Sequence, residues 1–293
     1  MESEREQKGS PRKASVITLA ALAILGTGYY FLPDRTSSDG GSAEASDPAE
    51  VMARLEIPYR FDDNAGNIVE HMGYTLSYNS ELRVPNWVAY ELLESEANSS
   101  YRPREDSFEP DPLIKGRQAY DRDYVGSGYD RGHMAPSGDM KWSSQAMKES
   151  FYLSNTCPQN HNLNAGAWND LEQQVRREAR YYGRVWVVCG PLFESNSPRH
   201  VGENHVAVPD CFFKALLARK KDGSYAAIGF VFPNSSCLRN LSLYCMTVDE
   251  LEEKVGMDLF FNLDPEVQDQ VEAVSDPYGD WRIKDEILRD KEY

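Results

Sequence analysis

Two stretches of the 293-residue chain concentrate side chains able to do polar chemistry. The first is YDRGHMAP, residues 129–136, in which Arg131 and His133 flank Gly132. In an extended segment alternate side chains share a face, so a guanidinium and an imidazole would stand side by side. The glycine between them leaves room for a ligand or another backbone. Asp130 is available either to hold an imidazole tautomer or to pair with Arg131. The second stretch, residues 151–176 (FYLSNTCPQNHNLNAGAWNDLEQQVR), carries Asn155, Asn164, Glu172 and Arg176. At about 100° per residue in a helix, Asn164, Glu172 and Arg176 project within roughly a 120° sector. That polar strip lies opposite Leu171 and Val175 and can face a site.

These side chains need elements to hold them. Trp168, Leu171, Val175 and Ala179 recur at steps of three and four, which predicts an amphipathic helix over 165–182 stopped by Gly183. Residues 74–77 and 86–92 have the aromatic and β-branched content of a strand pair. VWVVC, residues 185–189, reads as a buried strand ended by Gly190-Pro191, and 207–217 and 225–232 as further strands bounded by turn residues. The expected architecture is α+β with a central antiparallel or mixed sheet.

In order and at matching spacing, the motifs DRGH, FYLSN, PQ, LN-x-x-x-W and LE-x-x-x-R resemble those of the DNA/RNA non-specific endonucleases of the ββα-metal type. The resemblance covers Tyr74 to about Phe261. It implies an α+β ββα-metal nuclease fold, with a mostly antiparallel central sheet flanked by helices. It also implies DNA and RNA as substrates, Mg²⁺ as cofactor with Mn²⁺ as a replacement, and it allows a homodimer. On this chain it makes His133 the general base and Asn164 the metal ligand, supported by Arg131, Glu172 and Arg176; Asn155 matches a further site asparagine. An upstream site arginine is also implied, for which RPRED offers Arg102 and Arg104, with Arg104 preferred.

Chemistry gives those assignments sense. Phosphodiester hydrolysis needs a deprotonated water, a cation against phosphoryl charge and stabilisation of the leaving oxygen. Neutral imidazole suits the first task near neutral pH. An asparagine carbonyl is a hard, neutral ligand for Mg²⁺, and arginines bind phosphate bidentately. Trp142, beside Lys141, is the tryptophan expected near substrate, whereas Trp87, Trp168 and Trp186 read as core. His161 lies within three residues of Asn164 but reads as a polar loop residue. G-x-S-x-G, H-E-x-x-H and G-x-G-x-x-G are absent, which removes the support for serine-hydrolase, zincin and dinucleotide sites. From a different class, a catalytically silent nucleic-acid-binding or surface-interaction protein could keep the same fold. The presence of both His133 and Asn164 argues against silence.

Composition bounds the whole. The chain is 41% apolar, enough for a sizeable core, and carries a formal charge of −16, which excludes a basic nucleic-acid coat. Residues 246–293 hold 5 Lys+Arg against 15 Asp+Glu, so most of the excess sits at one end. Val16 to Leu32 (VITLAALAILGTGYYFL), preceded by Arg12 and Lys13, reads as a membrane anchor or a cleaved signal with the rest outside the cytoplasm. The alternative location is the mitochondrial intermembrane space, although Glu2, Glu4 and Glu6 are unlike a presequence. The expected organisation is an anchor or signal at 1–33, a flexible linker at 34–50, a nuclease domain at 51–264 and an acidic tail at 265–293. Five cysteines without a C-x-x-C pair argue against structural zinc, and Cys237 and Cys245 are spaced to bridge a hairpin.

Overall fold

The computed structural model describes residues 54–60, 66–101, 104 and 107–284. Seven strands form one antiparallel sheet: β1 (Asn67–Glu70), β2 (Thr75–Asn79), β3 (Val84–Leu93), β6 (Arg184–Leu192), β7 (Cys211–Arg219), β8 (Tyr225–Pro233) and β9 (Cys245–Met246). Their order across the sheet is β9-β8-β7-β6-β3-β2-β1. A separate hairpin pairs β4 (Asp130–His133) with β5 (Thr156–Gln159). The flanking helices are α1 (Ser144–Ser150), α2 (Asn169–Tyr182), α3 (Val248–Val255) and α4 (Pro265–Val271).

The sheet is apolar on both faces because its central strands alternate between two cores. In β6, Val185, Val187 and Cys189 enter one core while Trp186 and Val188 enter the other. In β7, Phe212 and Leu216 join the first, and Phe213, Ala215 and Leu217 the second. Helix α2 and the turn before it cover the first core through Trp168, Leu171 and Val175; α3 and α4 cover the second through Val248, Leu251 and Val271. Gly183 ends α2 with φ 85°, the left-handed cap that glycine adopts without a Cβ penalty.

The expected strand pair is β2–β3, and the expected helix is present with a different start. Strand β6 runs on through Gly190-Pro191 to Leu192 rather than ending there. Past Cys189 it pairs only with β7, so Pro191 sits where one side of the strand is no longer bonded to β3. The acidic segment from 265 is likewise not a free tail over its described length. Val271, Trp281 and Ile283 are buried, and Gln174 Nε2 donates to the Trp281 carbonyl at 2.7 Å. Among the five cysteines no disulfide forms. The linker and the apolar run at 16–32 lie outside the described residues.

Candidate active site

Strand β4 delivers His133 to a cavity mouth. Gly132 pairs with Cys157 across the hairpin, and a Cβ there would fall 2.3 Å from Gln159 Oε1. The glycine therefore makes room for a buried side chain of the partner strand rather than for a ligand. The His133 ring is wedged between Phe108 and Phe151, with centroids at 5.2 and 5.0 Å. It is 8% exposed and its Nε2 has no hydrogen-bond partner. Burial, with the Arg104 charge adding to it, pushes the imidazole down to about 3, so the ring is neutral at physiological pH. The same aromatic rings seat two cations. Arg104 lies 5.6 Å from the Phe151 centroid, and Arg131 lies 5.6 Å from Phe108 and 5.4 Å from Tyr124. Arg131 is oriented by Asp121, through Nε to Oδ1 at 2.5 Å and Nη2 to the carbonyl at 3.0 Å.

The opposite wall comes from the approach to α2. Asn160 caps a short turn at His161–Leu163, after which residues 164–168 form a π turn broken at Gly166 (φ −106°, ψ −114°). The regular α-helix thus starts at Asn169 instead of Ala165. Asn164 donates its Nδ2 to Asp130 Oδ2 at 2.9 Å, and His161 Nδ1 lies at the same distance from that oxygen. Asp130 accordingly ties Asn164 and His161 to the hairpin; it holds neither His133 nor Arg131. Glu172 is pushed up to about 7 by burial and by Asp139, against the opposing charges of Lys214, Arg176 and Arg104. Arg176 donates to Asp139 Oδ1 at 2.6 Å, and Tyr90 donates to Oδ2 of the same carboxylate at 3.0 Å. A Cβ on Gly138 would meet Arg176 Nη1 at 2.8 Å, so this glycine gives the guanidinium its seat.

His133, Arg131, Arg104, Asn164, Glu172 and Arg176 converge on one cavity of about 400 Å³, joined by Lys141. Four cationic side chains against one carboxylate make it a positive pocket in a −16 chain. Two expected site residues are absent from its wall. Asn155 is fully buried: its Oδ1 accepts from Ala135 N at 2.9 Å, and its Nδ2 donates to the carbonyls of Ala135 and Ser150. It therefore braces the chain just after His133. Trp142 packs half-buried against the core, and its neighbour Lys141 lines the cavity in its place. Arg102 lies outside the described residues.

Sequence reasoning missed Asp139 and Lys214. Lys214 is fully buried in β7, its Nζ 4.5 Å from the Trp168 ring, while Trp168 Nε1 donates to the His133 carbonyl at 3.2 Å. A lone charge in the apolar run CFFKALL was the available signal.

A histidine-bearing β-hairpin set against a helix that carries the polar strip, over an antiparallel sheet, is the ββα-metal nuclease fold. Residues 57–266 match the family model described as DNA/RNA non-specific endonuclease. The chain is 38% identical to the mitochondrial nuclease EXOG of Danio rerio over 255 residues, 82% of this chain and 72% of the relative. It is 33% identical to the mitochondrial endonuclease G of Bos taurus over 229 residues, 74% and 75% of the two chains. Against a crystal structure of an EndoG/EndoGI complex the TM-score is 0.67 at 28% identity, covering 76% of this chain and 95% of that one. The chain belongs to the DNA/RNA non-specific endonuclease family.

Proposed function

We propose that this nuclease is a metal-dependent endonuclease that cuts phosphodiester bonds in both DNA and RNA, with His133 as the general base. The observation that carries the reading is geometric: His133 meets Arg104, Arg131 and Arg176 on the wall of one cavity. A neutral imidazole can take a proton from water; an imidazolium cannot. Arg131, Arg176 and Arg104 bind and orient the phosphate, and Lys141 adds to the field that draws a polyanion in. Asn155 is a positioning residue for the His133 backbone, with no contact to substrate.

The donor set fits a hard divalent cation. The amide nitrogen of Asn164 is committed to Asp130, which leaves its carbonyl oxygen as the donor it can offer, and Glu172 supplies a carboxylate in the same cavity. Asn164 and Glu172 would hold Mg²⁺ or Mn²⁺, which would supply charge neutralisation at the phosphoryl oxygens. Asp139 fixes the Arg176 guanidinium so that it meets the phosphate without reorganising.

The relatives' mitochondrial names support a mitochondrial location, within which the intermembrane space is the compartment proposed. Among the described residues no helix is long and apolar enough to cross a membrane. Neither they nor the relatives' names support the membrane attachment or the homodimer.

The test is cleavage of supercoiled plasmid and of a structured RNA, each with Mg²⁺ and with EDTA. Both substrates should be cut only with the metal. Undiminished cutting in EDTA would reject the metal mechanism, and tight DNA binding without cleavage would favour the silent-protein alternative.

A further inference from the structure

On the sheet face opposite the active-site helix, three carboxylates meet. Asp249 and Glu252 are three residues apart on α3 and so share a helix face, and Glu272 follows α4 at its C-terminal cap. Each offers an oxygen, and the three oxygens lie within 4.8 Å of one another. Asp249 is exposed and Glu252 half-buried, whereas Glu272 is 3% exposed and its Oε1 has no hydrogen-bond partner. Among the described residues no Lys or Arg forms an ion pair with any of the three.

Nearby donors are mostly spent on other acceptors. Leu259 N donates to one oxygen of Glu252 at 2.6 Å, leaving the other, and Gln268 Nε2 donates to Asp258 Oδ1 at 2.6 Å and to the Leu259 carbonyl at 3.0 Å. Asp249 N donates to the Glu272 carbonyl at 3.2 Å, so backbone already fixes the two ends of the cluster together. Burial and the neighbouring acidic groups push Glu272 up to about 9 against the pull of Gln268, and Glu252 up to about 7 against the Leu259 amide, as expected of carboxylates gathered without a counter-charge. A buried, unpartnered carboxylate oxygen is stabilised by a proton or by a cation.

We infer that Asp249, Glu252 and Glu272 form a second divalent-cation site, remote from the nuclease cavity, with the chemistry of a Ca²⁺ site. Ca²⁺ accepts six to eight oxygens in irregular geometry and combines protein carboxylates with water, whereas Mg²⁺ sheds its water reluctantly and holds few protein ligands. Two carboxylates from one helix face and a third from a separate segment, with an open side at Asp249, suit the larger ion. The place also gives binding a consequence. Val271 belongs to the core under α3, and Trp281 to the core under α2, so the chain changes faces between Glu272 and Trp281. A cation held there pins that crossing to α3.

The experiment titrates Ca²⁺ into metal-stripped full-length protein carrying Asn164→Ala, which weakens uptake at the nuclease cavity. Calorimetry should find one equivalent bound. The melting temperature should rise by about 5 °C at a hundredfold excess over Kd. Adding Glu272→Gln or Asp249→Asn should weaken Ca²⁺ binding at least tenfold and abolish the shift. Glu272→Gln in the otherwise wild-type chain should cut plasmid with Mg²⁺ at an unchanged rate, so the outcome is independent of the nuclease mechanism. Asp249 is exposed, and its neutral variant keeps the test decisive if the Glu272 variant misfolds. Absence of Ca²⁺ uptake, or uptake equal in parent and both cluster variants, would overturn the site and leave a proton shared among the carboxylates.

Discussion

At the scale of single residues, burial rather than identity sets the chemistry. His133 is neutral because Phe108 and Phe151 exclude water and Arg104 repels a second positive charge. His133→Ala should lower turnover by about 10²- to 10⁴-fold while plasmid affinity, read by filter binding, stays within a few fold. Turnover equal to wild type would remove His133 from the mechanism. The same burial has a sign for stability. The folded value of about 3 lies below the usual 6.5, so the unfolded chain binds a proton that the folded one refuses. This contribution is fully present above pH 6.5 and is lost as pH falls toward 3. Urea titrations at pH 7.5 and 5 should differ by about 2 kcal/mol from this group, and His133→Asn should shrink the difference. The residues of the hairpin and polar strip were legible in the sequence because motif spacing carries them. Trp142 is off the cavity wall because which of two adjacent turn residues faces the cavity is decided by packing, and Lys141 faces it. Asp139 had no local pattern, since its partners Tyr90 and Arg176 lie 49 and 37 residues away.

Elements were legible where hydrophobic period is strong, as in β3, β6, β8 and α2. The irregular pieces were not. Periodicity averages over the π turn at 164–168, and no local signal told that Gly132 faces Gln159 rather than substrate. That contact yields an element-scale prediction. Gly132→Ala should destabilise the domain by about 1 to 3 kcal/mol, because Gln159 is fully buried and the new methyl overlaps it. In the double variant with Gln159→Ala, part of the loss should return. Simply additive losses in thermal melts would show that the two positions do not press on each other. Because His133 is the next residue, the single variant should also lose activity out of proportion to the unfolded fraction.

For the whole molecule, the positive cavity is set in an acidic chain. Long-range repulsion slows capture of a polyanion at low salt, while the few phosphate contacts weaken at high salt. Removing 265–293 cannot isolate the charge effect, since Val271, Trp281 and Ile283 leave holes in both cores; that deletion should cost most of the domain's stability in a denaturation curve. Neutralising the exposed Glu253, Glu266 and Asp269 instead preserves the fold. The triple Gln/Gln/Asn variant should cleave faster than wild type at low salt and lose activity more steeply as salt rises. Superimposable salt curves would show that this acidic face has no part in substrate capture.

Trp281 lies 107 residues beyond Gln174, yet it closes the core beneath α2 and its carbonyl receives the Gln174 side chain. A chain made from the amino end therefore carries Glu172 and Arg176 on a helix with one flank open to water until the segment around Trp281 has been made and docks. Cutting power therefore waits on a distant stretch of the same polypeptide, although every residue that lines the cavity has already been made.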